Sequence, residues 1–257
     1  MLKRLLTDSV SLVFGNLETV FRAAGTWFVL QFLLMLLLQF TIGSGDQQAE
    51  NPSAVAMFAL VVMVFSMVAS ASISVAWHRF GLLGERPGII HLKFGSLELR
   101  FVLKMLLLAV ILMAVWFAVL LIHTLVGVPA VSAVVAILVF IFSIPAFFRL
   151  SLILPATAVE RPINLGEAYA MSEGMGWQLF LATFLLSLPF VLGGALLEFV
   201  VGLAASGLPL LLLQIKVMIL NLLVQIIVTV LGISVLTAGY RVAMERQGSN
   251  PDPSVFQ

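Results

Sequence analysis

Six stretches of this chain, near residues 23–42, 54–78, 100–122, 130–149, 178–203 and 209–240, are almost uninterruptedly apolar. Each is long enough for a helix to cross a bilayer, which takes about 20 residues. With 62% hydrophobic and 10% charged residues, the chain lacks the polar side chains that a water-soluble globule needs to cover itself. Lipid is therefore the expected solvent. Backbone polar groups in lipid must be satisfied within each segment, so the expected fold is an all-α polytopic membrane bundle of about six transmembrane helices, forming one domain over residues 1–257.

The first 22 residues read differently. Leu2, Leu5, Leu6, Val13, Leu17 and Val20 fall on one side of a helical wheel, and Arg4, Thr7, Ser11, Glu18 and Arg22 on the other. That pattern predicts an interfacial amphipathic helix over 1–22. Its charged start mimics a secretory signal, but Asp8, Asn16, Glu18 and Arg22 interrupt the apolar run, so it reads as mature protein.

Of the 13 Lys and Arg residues, 12 fall on one side of this layout and Lys216 alone on the other. The positive-inside rule makes the crowded side cytoplasmic, with both termini there, as in a bacterial inner membrane.

The order of signals predicts a three-fold repeat of helical hairpins. The even-numbered spans follow Pro52, Pro129 and Pro209, and close with Trp77-His78-Arg79, Phe147-Phe148-Arg149 and Gly239-Tyr240-Arg241. Glu85-Arg86, Glu160-Arg161 and Glu245-Arg246 come next. The odd-numbered spans are preceded by Phe14-Gly15-Asn16-Leu17-Glu18, Phe94-Gly95-Ser96-Leu97-Glu98 and, more weakly, Met175-Gly176-Trp177-Gln178-Leu179. Each unit is expected to be an interfacial helix followed by a transmembrane hairpin.

Motifs for hydrolytic, metal or nucleotide chemistry do not stand out. There is no cysteine, no HExxH, no G-x-S-x-G and no P-loop, and His78, His91 and His123 are dispersed. Arg79-x6-Arg86-Pro87 echoes the first motif of lipid phosphatases without the later ones. The expectation is a non-enzymatic protein with no catalytic residue, cofactor or metal.

Polar residues inside the spans are the remaining candidates. Gln214, Asn221 and Gln225, with Gly232, share one arc of the last helix. They serve either as interhelical glue or as the polar wall of a path through the membrane. Glu198 and Lys216 are the charges near the far ends of the last two spans and form a candidate ion pair. Arg79, Arg149 and Arg241 hold corresponding positions and are candidate contacts for anionic headgroups, with simple interfacial anchoring as the alternative. Ser66, Ser70 and Ser74 form a small-residue stripe suited to close packing. Pro145, and Pro189 with Gly193-Gly194, predict locally loosened helices.

Arg149-Leu-Ser-Leu-Ile-Leu-Pro155-Ala156-Thr-Ala-Val159-Glu160, followed by Glu167-Ala168 and Ser172, resembles a pattern in bacterial membrane proteins related to the membrane domain of glycerophosphoryl diester phosphodiesterase. Arg149, Pro155, Ala156, Glu160, Ala168 and Ser172 carry the likeness, whereas Glu173, Gly174 and Met175 stand where that pattern has Arg or Lys. The catalytic barrel of the namesake is absent, so the resemblance implies a membrane location and fold, not the activity. The reading that results is an accessory, scaffold or lipid-associated inner-membrane protein. Its partners would be membrane lipids or another membrane protein, not nucleic acid, and its loops 79–99 and 150–177 would be the contact surfaces. The rival is a small transporter or lipid-handling protein using the polar arc of the last helix.

Overall fold

The computed structural model describes residues 1–41, 52–204 and 210–248, with side chains described for 1–37, 52–202 and 215–248. The polar segment 43–51 and Pro209 lie outside the described residues. Within them the chain is an all-α bundle without strands. It runs α1 (Leu2–Phe14), α2 (Leu17–Val20), a π-turn (Phe21–Gly25), α3 (Thr26–Thr41), α4 (Pro52–Leu83), α5 (Ser96–Val126), α6 (Pro129–Leu150), α7 (Ile153–Ala158), α8 (Leu165–Met171), α9 (Gly176–Ala204) and α10 (Leu210–Arg246). Among the described residues six helical stretches are long and apolar enough to cross a membrane, which makes this an integral, multi-pass membrane protein.

Two expectations change at the start of the chain. The amphipathic helix stops at Phe14, where Gly15 and Asn16 break the geometry, and Leu17–Leu37 reads as one span through α2, the π-turn and α3. The apolar face of α1 is also covered by protein, since Leu5 and Val13 are fully buried and α1 packs on α9 and α10. Elsewhere the helices overshoot the predicted spans, as in α4 and α10, because helix geometry does not stop where hydrocarbon does.

The spans pair as hairpins α3–α4, α5–α6 and α9–α10, and the hairpins touch in cyclic order: α4 packs on α5, α6 on α9, and α10 on both α3 and α4. This is the arrangement that three repeated units would generate. The glycine-bearing stretches mark equivalent places, just before Leu17, Ser96 and Gly176, where the first helix of each hairpin begins. The second unit departs from the pattern. Its lead-in, residues 84–95, is not helical, whereas α1 and α8 lead the other two.

Burial concentrates at the end of the bundle that carries the arginines, here called the basic end. One cluster there joins Leu5, Leu82, Leu152, Met175, Leu179 and Val235 across all three hairpins. Residues 71–78 of α4 and 155–158 of α7 are covered on every side, α7 being wedged among α4, α5 and α10. Farther out, α5 and α6 meet along a narrow seam and expose most of their circumference, as Met113, Phe117, Leu120, Val134 and Phe142 illustrate. Apolar exposure on that scale suits a surrounding of acyl chains. Pro145 and Pro189 lie within α6 and α9, and both helices continue through them.

Candidate functional site

Four polar side chains of the bundle interior pair in a seam between α4 and α10. The Trp77 indole N–H donates to Ser234 Oγ at 2.7 Å, and the Ser234 hydroxyl in turn donates to the Val230 carbonyl at 2.7 Å. One residue along, His78 Nδ1 lies 2.9 Å from Thr237 Oγ1, whose hydroxyl donates to the Ile233 carbonyl. His78 and Thr237 thus share one hydrogen bond, whose donor follows from the imidazole tautomer. Gly81 lets the two helices approach, since a Cβ there would stand 2.7 Å from Thr237 Cγ2. Of the small-residue stripe, Ser74 is buried and Ser66 and Ser70 are half-buried, while Ser234 and Thr237 are not marked out by the hydropathy pattern. Their signal was a hydroxyl at i and i+3 facing a Trp-His pair.

Arg79, Arg149 and Arg241 do not form an open ring toward headgroups. Each donates to a main-chain carbonyl in the next hairpin unit: Arg79 to Ala158 at 3.2 Å, Arg149 to Tyr169 at 2.5 Å and Arg241 to Gly81 at 2.6 Å. All three carbonyls lie in the last turn of a helix, where backbone N–H donors run out and the helix dipole favours a cation, and Tyr169 also accepts from Ser172 Oγ at 3.2 Å. That is the physical reason these arginines turn inward. Arg79 also holds Glu85 through two bonds of 2.7 and 2.8 Å and Glu160 at 2.9 Å. Arg149 lies 3.5 Å over the Tyr169 ring, a cation–π contact.

Arg149, Ala156, Glu160, Ala168 and Ser172 come together in one knot at this end. Ala156 and Ala168 are fully buried, Ser172 Oγ bonds the Ala168 carbonyl at 2.6 Å, and Arg149 holds α8 from outside. Glu160 turns the chain at φ 58°, a left-handed conformation uncommon for a side chain with a Cβ, and its carboxylate is fastened by Arg79. Asn164 and Glu167 form a reciprocal cap at 2.8 and 2.9 Å that starts α8.

In the far half of the bundle, Asn221 and Gln225 face a crevice of about 150 Å³ between α3 and α10, with Gln31, Met35 and Met218 on its walls. Gln31 had escaped notice because it sits alone in an apolar run. Asn221 and Gln225 are exposed, so this face of α10 opens toward lipid instead of pointing into the core. Gln214 belongs to α10, but its side chain lies outside the described residues. The proposed Glu198–Lys216 ion pair does not form. Glu198 accepts from the Asn221 amide, and Lys216 lies on another face of α10, roughly 140° from Asn221 at ~100° per residue.

Two crevices open at the basic end. One, of about 220 Å³, lies between α1 and α10 and is lined by Asp8, Asn16 and Arg241. The other, of about 230 Å³, lies beneath residues 84–95 and is lined by Arg79, Glu85, Arg86, His91, Lys93 and Glu98. Burial lowers the His91 imidazole below its ordinary range, opposed in part by the Glu98 carboxylate. Among the described residues no group of three His, Asp or Glu side chains is arranged to hold a metal ion.

No family model, curated protein or solved structure matches the chain.

Proposed function

We propose that the chain is a non-enzymatic, lipid-associated accessory or scaffold protein of a bacterial inner membrane, with both termini in the cytoplasm. The observation that carries this reading is how the polar side chains of the bundle are used. Trp77, His78, Ser234 and Thr237 bond one another between helices, and Arg79, Arg149 and Arg241 close helix ends. Side chains otherwise suited to proton transfer or anion capture are thereby committed to holding the hairpins together. The orientation rests on the 12-to-1 distribution of Lys and Arg. Kinship with the membrane domain of glycerophosphoryl diester phosphodiesterase is part of the same proposal, supported by the joint role of Arg149, Pro155, Ala156, Glu160, Ala168 and Ser172 in the knot at the basic end.

The test is purification from native membranes in mild detergent, followed by mass spectrometry of co-purifying proteins and lipids. A stoichiometric membrane-protein partner that is lost on Arg161→Glu supports a scaffold. Recovery with neither a protein partner nor a selective lipid would overturn the reading.

A second reading, a small transporter or lipid-handling protein, is favoured by the crevice that joins Gln31, Asn221 and Gln225 at membrane depth. It requires that Gln225→Leu abolish flux through reconstituted vesicles while the protein stays folded. The scaffold reading requires that partner binding survive that substitution.

A further inference from the structure

The 84–95 segment joins α4 to α5 at the basic end and combines two properties that rarely share so short a stretch. Ile89 and Ile90 are 77% and 73% exposed, and Leu92 and Phe94 are nearly half exposed. Between and beside them, Arg86, His91 and Lys93 line the 230 Å³ crevice. Exposed isoleucines are unfavourable in water but are at home where a bilayer begins.

Of the three cations that line the crevice, Arg86 and Lys93 are the two left open to a ligand. Arg79 is taken by Glu85 and Glu160 at 2.7 and 2.9 Å. Glu98 is 1% exposed and accepts the Gly95 N–H at 2.7 Å, so little of it is presented to a ligand. Among the described residues no carboxylate pairs with Arg86 or Lys93. His91 adds a half-buried imidazole beside them, held against the Ser72 main chain.

We propose that this crevice binds the phosphate headgroup of an anionic phospholipid, with Arg86, Lys93 and His91 around the phosphate and Ile89 and Ile90 beside the acyl chains. A free phosphate would satisfy the cations equally but would leave the four exposed apolar side chains without a role, so the ligand is the lipid. The proposal rests on the lipid-associated reading and gives it a ligand class.

The test uses full-length protein in neutral detergent micelles, titrated with short-chain phosphatidylglycerol, phosphatidylcholine or inorganic phosphate and read by native mass spectrometry. Phosphatidylglycerol should bind preferentially, and Arg86→Gln with Lys93→Gln should cut that preference roughly tenfold or more at unchanged melting temperature. Ile89→Ser with Ile90→Ser should weaken phosphatidylglycerol too, whereas Lys3→Gln, at an exposed position of α1, should leave it unaltered. If the wild type prefers phosphatidylglycerol and the double charge variant keeps the preference, this site is overturned while the lipid-associated reading stands. Equal binding of phosphatidylcholine by the wild type would overturn the headgroup site and remove the lipid arm of that reading. Competition by millimolar inorganic phosphate would overturn the lipid as ligand.

Discussion

The carbonyl of Gly81 accepts a bond from Arg241 Nη2 at 2.6 Å, and the same glycine leaves room for Thr237 on the facing helix. Gly81 lies in the last turn of α4 and Arg241 near the end of α10, so this bond closes the third hairpin onto the first. Arg79 onto Ala158 and Arg149 onto Tyr169 close the first onto the second and the second onto the third. Three arginines at corresponding positions of the sequence thus do one job three times, each filling a helix-end carbonyl of the next unit.

Arg241→Gln should therefore destabilise the bundle by about 1.5–3 kcal/mol, the range for a hydrogen bond to a charged donor. Arg161→Gln, whose side chain belongs to an exposed loop position, should stay within about 0.5 kcal/mol of wild type. Thermal unfolding in detergent, followed by intrinsic fluorescence, measures both. Equal melting temperatures for the two variants would remove the stapling role.

Gly81→Ala should cost about 1–3 kcal/mol, because the new methyl meets Thr237 Cγ2 at 2.7 Å and Leu12 Cδ2 at 3.2 Å. Gly193→Ala has nothing within 4 Å and should be neutral or slightly stabilising, since alanine is the better helix former. The same unfolding assay separates the two, and a silent Gly81→Ala would mean that α4 and α10 have slack between them.

The bond from Trp77 to Ser234 lends itself to a double-mutant cycle. Ser234→Ala leaves the indole N–H without its acceptor, whereas in a Trp77→Phe background there is no N–H left to satisfy. Ser234→Ala should therefore be costlier in the wild type, by about 0.6–1.7 kcal/mol, the range measured for bonds between membrane helices. A coupling near zero would show that the indole finds another acceptor.

Much of this architecture was legible because lipid imposes one requirement on every span: a long apolar run must be a helix. Pro52 and Pro129 open α4 and α6 where expected, since a residue without an N–H loses nothing at a helix start. The three glycine-bearing stretches marked the first helix of each hairpin. What the sequence did not reveal is which partner each polar group takes. Arg79, Arg149 and Arg241 read as headgroup contacts because a one-dimensional view shows cations at an interface but not the helix-end carbonyls beside them. Glu198 was matched with Lys216 on charge, whereas rotation about α10 gives it Asn221. Residues 84–95 read as a charged loop; the exposure of Ile89 and Ile90 depends on a fold that leaves them uncovered. Gln31 met Gln225 only because α3 packs on α10.

The orientation in the membrane yields a prediction that needs no knowledge of function. Arg4 and Glu245 form a two-bonded ion pair, each bond 2.8 Å, so the start and end of the described chain meet at one end of the bundle. Residues 84–95 join that same end, because α4 terminates there at Leu83. If that end faces the cytoplasm, a cysteine introduced as Ile90→Cys will resist a membrane-impermeant maleimide in intact cells and react in inverted vesicles. Gln47→Cys, between the first two spans, will behave oppositely. The chain has no native cysteine, so every label reports the introduced site. Reaction of position 90 from outside, with protection of position 47, would invert the topology and move the headgroup crevice to the outer leaflet.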